Sequence, residues 1–452
     1  MPMMSGFSNA FKVPELRKKI LITLGLVFVC RLISQIPTPG VLYGVLRDHL
    51  NNSSNTLIGW FDVFTGGGLS QCGIGFLSIW PYISAQIVIQ LLSSVVPTLE
   101  KYKREGETGR AKLAEITRYL TIVLCILQSW AISSALMNPS TLGIGQNLVA
   151  NPGLGFQLMT VLGMTTAALF VMWIADQITA HGIGNGASLI IMINIASRLP
   201  GAIGTGYAHY TSNKIAPVAA LTQVGLLLVF GFAVVMGTVM LVQGIRKVPI
   251  HTTRRAVSGG ASFGMKQTYM PLRVNYTGVM PIIFAQPLIS FPAAFLSNID
   301  IEATGFKGVL RDIGTSLQSG AVHTVVYAVL IVFFAFFWVA TQFNAIDISE
   351  NLKKEGSYVP GIRPGRATAE YLDAVMTRVT LIGAGGLLLV ALIPELMSNY
   401  MGVPWIVSSF FGGTSLLIIV GVALDTLRIM ESHLLVRKYE GFLRHGSIRG
   451  RV

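Results

Sequence analysis

Charge is scarce in this chain. Asp, Glu, Lys and Arg make up 12% of its 452 residues, about half the share usual in soluble domains, and 52% of the residues are hydrophobic. This excludes an ordinary soluble domain and implies a multi-span membrane protein. The 3 cysteines, Cys30, Cys72 and Cys125, lie in or beside apolar runs. They read as small buried hydrophobes, which excludes a disulfide framework and gives redox chemistry no support. The 7 histidines are scattered with no pair at metal-ligand spacing, so neither a metal nor another cofactor is expected. HExxH and GxSxG are missing, and Gly259 to Lys266 fails as a phosphate loop because Met265 stands where the lysine must follow the second glycine. The expectation is a protein that is not an enzyme and does not power transport with its own ATP site. Ionisable residues at mid-membrane depth, which mark ion paths in transporters, are also nearly missing. Arg31, toward the outer end of the first apolar run, reads as a structural residue that snorkels or pairs. Asp62 reads as a helix-end or interface residue.

Long apolar runs are what the chain has instead. They lie near 20–37, 74–96, 119–137, 154–175, 183–199, 216–243, 279–297, 321–344, 379–397 and 403–424. These give ten candidate membrane helices, with both termini on one side. The run at 183–199 is short and starts in the glycine-rich GIGNGAS. The first run follows Arg17, Lys18 and Lys19 but ends in IPTPG rather than a small-residue cleavage site, so it is expected to be retained as a span. With the N-terminus inside, the inner segments collect Arg17 to Lys19, Lys101 to Arg118, Arg246 to Arg273, Lys353 to Arg378 and the basic tail. The outer loops hold Arg47, Arg198, Lys214, Lys307 and Arg311. This asymmetry orients the chain and places the net charge of +13 toward anionic lipid and acidic or nucleic-acid partners.

One stretch, Leu57 to Ser93, breaks the pattern. Leu57 to Phe64 is apolar but too short to span, and Gly66, Gly67 and Gly68 follow before the next full run. A re-entrant plug fits this pattern, since non-helical backbone at membrane depth must be buried in protein or line a watery cavity. An amphipathic turn lying on the bilayer fits it equally. Two inner loops are longer than a connection needs. Arg246 to Asn275 places VPIHTTRRAV and KQTYMPLRV around SGGASFG as a hairpin. Asp347 to Thr377 carries prolines and glycines that turn Arg363 and Arg366 outward. Each loop could be a solvated basic lip, but two on one face favour a docking surface. The i, i+4 pairs Ile79/Ile83 and Ala187/Ile191 share helix faces, a spacing that lipid contact and packing explain as readily as a pore.

Several long phrases resemble the SecY family, the central channel subunits of bacterial protein translocation. They are PELRKKI with RLISQIPTPGV, WPYISAQIVIQLL, PTLEKYKREGETGR, DQITAHGIGNGAS, LRVNYTGVMPIIFA, DISENLKKEGSYVPGIRPGRATAEYL, TRVTLIGA and FFGGTSLLIIV, in order and nearly end to end. The resemblance implies an all-α integral membrane protein with ten transmembrane helices in two pseudosymmetric halves, 1–205 and 206–452, around an hourglass pore. It implies a pore ring of Ile79, Ile83, Ala187, Ile191, Ile283 and Ile418, with Ala187 a small member. It also implies a plug over about 57–69, comprising Leu57, Ile58, Trp60, Phe61, Val63, Phe64, Gly66, Gly67, Gly68 and Leu69. Gln90 and Gln286 map to the lateral gate, and Arg254, Arg255, Lys266, Lys353, Lys354, Arg363 and Arg366 to a motor- and ribosome-docking surface.

The implied function is a channel for unfolded secretory polypeptides in the bacterial cytoplasmic membrane. The implied partners are SecE-like and SecG-like subunits, the SecA ATPase, the ribosome, signal-sequence-bearing polypeptides and membrane lipid. A secondary solute transporter would share the ten spans and inverted halves, but the scarcity of intramembrane ionisable residues argues against it. A membrane-embedded enzyme is opposed by the missing catalytic constellation.

Overall fold

The computed structural model describes residues 13–42, 44, 66–68, 72–138, 147–212, 217–252, 268–297, 306–318, 320–401, 403, 405–408, 410 and 413–445. Helices form on every apolar run: Pro14–Gln35, Trp80–Val95 after a 3-10 turn at Ile74–Leu77, Glu107–Met137, Leu154–His181, Gly186–Ala196 continued by Leu199–Ser212, Pro217–Gln243, Met280–Ser297, Ala321–Gln342, Arg366–Met401 and Gly413–His445. Among the described residues, six helical segments are long and apolar enough to cross a membrane. Large apolar side chains face outward along the helices. Leu21, Leu24, Phe28 and Leu32 stand exposed on the first helix, and Val325, Val329 and Phe333 on Ala321–Gln342. A soluble protein rarely leaves such continuous apolar faces uncovered, whereas lipid covers them.

The chain divides into two compact units, 1–204 with 422–452, and 205–421. The sequence halves meet at 205/206, so the units differ from them at the carboxyl end. The physical reason is local packing: Met430, Ile429 and Leu434 cluster with Leu16 and Ile183.

In the first unit, Ile174, Ile178 and Ile190 are fully buried in a cluster with Val27, Cys30, Ile79 and Ile83. The GIGNGAS segment is a tight turn that feeds this core. Gly184 has φ +81, a conformation glycine adopts without a steric cost. Asn185 caps the following helix by accepting from the Ser188 N–H at 3.1 Å. The Gly186 N–H donates to Thr179 Oγ1 at 2.9 Å. This turn is why a short, glycine-led run still makes a helix. Glu107–Met137 and Leu154–His181 pack through a stripe of small residues, Thr117, Thr121, Cys125, Ser129 and Ser133, all buried. Small side chains let two helices approach closely where lipid offers no competing solvent force.

The second unit is centred on Ile282, Ala285, Ile331, Leu387 and Leu417. It also carries an antiparallel sheet, ordered β2-β1-β3, formed by β1 Ile245–Thr252, β2 Thr268–Arg273 and β3 Ser357–Tyr358. β1 and β2 pair from Ile245 opposite Arg273 to Ile250 opposite Thr268, the hairpin read from the sequence. The third strand joins the two inner loops, pairing His251 with Tyr358 and Thr252 with Ser357. Under the sheet, Val248 and Leu272 pack with Val339, Val359 and Met376.

Candidate functional site

Four of the six ring residues lie in the first unit and come together there. Ile79 is the residue before the Trp80–Val95 helix and Ile83 stands one turn into it; both are buried. Ala187 and Ile191, one turn apart on Gly186–Ala196, pack against the same apolar cluster. Two aliphatic pairs from sequence-distant helices thus share one surface, and Ala187 is the smallest contributor. Ile283 and Ile418 belong to the second unit, where each is buried.

Of the plug residues, Gly66, Gly67 and Gly68 are described. Leu57, Ile58, Trp60, Phe61, Val63, Phe64 and Leu69 lie outside the described residues, as does Asp62. Gly66 and Gly67 have φ +69 and +89, a left-handed conformation that glycine adopts without a steric cost. Arg31 is not a snorkelling residue. Its guanidinium donates to the Gly66 carbonyl from Nη1 at 3.4 Å and from Nη2 at 3.3 Å, and from Nη1 to Asn194 Oδ1 at 3.3 Å. Asn194, 1% exposed, donates in turn from Nδ2 to Ser78 Oγ at 2.9 Å. A few residues further along the chain, Thr38 N–H donates to the Cys72 carbonyl at 2.7 Å and Ile74 N–H to the Ile36 carbonyl at 2.8 Å. Pro37 and Gly73 form an antiparallel bridge there.

Gln90 is half-buried and its carbonyl accepts from Ser93 Oγ at 2.7 Å; Gln286 is buried in the second unit. Among the docking candidates, Arg254, Arg255 and Lys266 lie outside the described residues. Lys353 and Lys354 close the Ala345–Lys354 helix and are exposed. Arg363 is exposed on a turn held rigidly from below. Gly361 and Gly365 flank it with φ +80 and +104, Ile362 packs into the cluster under the sheet, and the Arg363 carbonyl accepts from Thr368 Oγ1 at 2.9 Å. Arg366 reaches Glu370 at 3.1 Å on a fully solvated helix face. Arg246 and Lys247 on β1 are exposed as well.

Two features escape sequence reading. Arg118 pairs with Asp176 at 2.8 Å, linking Glu107–Met137 to Leu154–His181. The apolar run ends at 175, so Asp176 reads as loop, whereas the helix continues to His181. Asn194 is the second, since an isolated polar residue in an apolar run signals a partner without saying which.

A family model described as SecY matches residues 74–427. The protein translocase subunit SecY of Streptomyces griseus is 41% identical over 450 residues, covering 98% of this chain and all of the relative. That of Escherichia coli K12 is 40% identical over 437 residues, 96% of each chain, and that of Thermotoga maritima is 38% identical over 456 residues. A solved protein-conducting channel superposes with TM-score 0.63 at 14% identity, covering 93% of both chains. Sec61 from the canine ribosome–channel complex of the endoplasmic reticulum superposes with TM-score 0.60 at 14% identity, again over 93% of both. At such identities these two likenesses speak for the ten-span channel fold. With the family model matched over most of its length and relatives near 40% identical end to end, the chain belongs to the SecY family.

Proposed function

We propose that the protein is a passive, gated channel. It translocates unfolded secretory polypeptides across the bacterial cytoplasmic membrane and releases apolar segments sideways into lipid, with both of its termini in the cytoplasm. The observation that carries this reading is the gathering of Ile79, Ile83, Ala187 and Ile191 on one apolar surface. With Ile283 and Ile418 from the second half they would form a ring of aliphatic side chains, a compliant gasket around a moving chain and a dewetted barrier when empty. Residues 57–69 act as the plug. Gln90 and Gln286 act on the two gate helices, where partition of a signal sequence into lipid and opening of the seam are one equilibrium.

The energy comes from outside. Arg363, presented by its two left-handed glycines, and the neighbouring Arg366, Lys353 and Lys354 dock a SecA-type ATPase or a translating ribosome, together with Arg254, Arg255 and Lys266, which the sequence places between β1 and β2. The ribosome is named in one structural relative, and exposed cations meet RNA phosphate mainly as charge. SecE-like and SecG-like subunits complete the assembly in the membrane.

The test is site-specific photocrosslinking from Ile83 in native membranes, with a precursor stalled in transit. A crosslink to the mature part of the precursor that depends on its signal sequence is the expected result. Crosslinks from Arg363 without any from Ile83 would mean that precursors dock but pass along a different axis.

A further inference from the structure

We infer that Pro249 and Pro271 seal the two edges of the three-stranded sheet against strand addition, so that an unfolded chain entering the channel slides past the sheet without being captured. The inference rests on reading the protein as a channel for unfolded polypeptides.

An extended chain carries unpaired backbone N–H and C=O groups, and a sheet edge is the surface that fits them. The position of this sheet makes capture a hazard. β1 follows the Pro217–Gln243 span and β2 leads into Met280–Ser297, at ends that the proposed topology turns to the cytoplasm, the side from which precursors enter. Among the described residues the strand order is β2-β1-β3. One edge is therefore β2, and the other passes from β3 to β1 where the two residues of β3 end.

The register turns both prolines toward these edges. The Val274 N–H donates to the Gly244 carbonyl at 2.8 Å, one step before the Ile245–Arg273 pair, and bonded pairs alternate along an antiparallel ladder. The bonded pairs are thus Arg246/Leu272, Val248/Met270 and Ile250/Thr268. Between them, Lys247 opposite Pro271 and Pro249 opposite Tyr269 direct their backbone groups away from one another. On β2 that direction is the outer edge, where Pro271 has no N–H to offer and sets its ring in the path of an incoming strand. On β1 it is the β3 side. His251 pairs with Tyr358 there, and two residues further along the same register Pro249 would face Pro360. Neither can donate, so the ladder stops, which is why β3 is so short.

Both prolines stand inside their strands, Ile245–Thr252 and Thr268–Arg273, whereas a proline that served only to turn the chain would stand at a strand end. Each outer stretch also carries an exposed cation, Lys247 on β1 and Arg273 on β2. Charge is the other common means of blunting an edge.

The experiment follows translocation into inverted membrane vesicles, supplied with a SecA-type motor and ATP, of two precursors that share one signal sequence. One has a strand-forming mature part rich in Val and Thr, the other a helix-forming one rich in Ala, Glu and Lys. We expect Pro271→Val, which restores the N–H, to slow the strand-forming precursor about threefold, the effect of one net backbone hydrogen bond, and to leave the helix-forming one at the wild-type rate. Pro271→Lys, which restores the N–H but adds an edge cation, should fall between. A photoreactive phenylalanine at Tyr269 should capture the strand-forming chain in Pro271→Val and not where Pro271 is kept. Wild-type rates for both precursors in Pro271→Val overturn the inference. Equal slowing of both also overturns it, because Pro271 would then act on the fold or on docking. If Pro271→Val fails to accumulate, Pro271→Thr, which restores the N–H as well, decides by the same two rates. Transport of neither precursor by wild-type vesicles would overturn the channel reading, and the inference with it.

Discussion

Ile83 and Ile191 show how little a single residue reveals by itself. Each is an aliphatic side chain at helical spacing from another, and that spacing is met wherever a membrane helix packs. What distinguishes them is that Ile79, Ile83, Ala187 and Ile191 converge on one surface from helices about a hundred residues apart, and convergence over such distances is invisible to periodicity. The motif phrases, not the spacing, carried the assignment. If these residues form the seal, replacing Ile83 or Ile191 with serine should admit water to the constriction and raise ion conductance of the resting channel in planar bilayers, with Ile191→Ser the larger because its neighbour Ala187 leaves less bulk behind. Wild-type conductance in both would remove them from the ring. Arg31 taught the opposite lesson. The sequence placed it correctly near a span end, yet its partners, Gly66 and Asn194, are 35 and 163 positions away, and no local rule reaches that far.

Elements were more legible than residues, because a membrane span is announced by length and hydropathy alone. Every apolar run is a helix, and the first inner loop forms the expected pair of antiparallel strands. The third strand did not announce itself: Ser357–Tyr358 is two residues long, caught between Gly356 and Pro360, and no alternation can be read from two residues. The stripe on Glu107–Met137 was readable in principle, since Thr117, Thr121, Cys125, Ser129 and Ser133 recur every fourth position, but a stripe of small polar residues looks like ordinary composition until a partner helix is known. Its role is close approach. Ser129 Oγ lies 3.3 Å from Thr165 Oγ1, and the neighbouring Ser134 accepts from Gln157 at 3.0 Å. Ser133→Leu, at a position with no exposed surface, should therefore overpack the helix pair and cost about 1–3 kcal/mol, read as a lowered midpoint of thermal unfolding in detergent. The same change at exposed Ala131 should leave the midpoint unchanged. An unshifted midpoint for Ser133→Leu would mean that the two helices are not held by this stripe.

The chain as a whole wears its apolar side chains outward along the spans and its cations at their ends. Arg17, Lys18, Lys101, Lys103, Arg110 and Lys112 are exposed at the ends assigned to the interior, as are Lys353, Lys354, Arg363 and Arg366. The same cations would serve a positive-inside topology and a docking face, so charge alone does not separate the two roles, but by the positive-inside bias both roles put them on the cytoplasmic side, an orientation that labelling can test. Asp312, 71% exposed at its side chain on the Phe306–Gln318 helix, falls on the opposite side by the same reasoning. The cysteines make this testable, because Cys30, Cys72 and Cys125 are all buried and should give little background with a membrane-impermeant maleimide. In intact cells opened at the outer membrane, Asp312→Cys should label while Lys101→Cys and Lys353→Cys stay protected. In inverted vesicles the pattern should reverse. Labelling of Lys353→Cys from outside would turn the molecule over, and with it would fall any motor or ribosome acting on Arg363, since neither exists on that side.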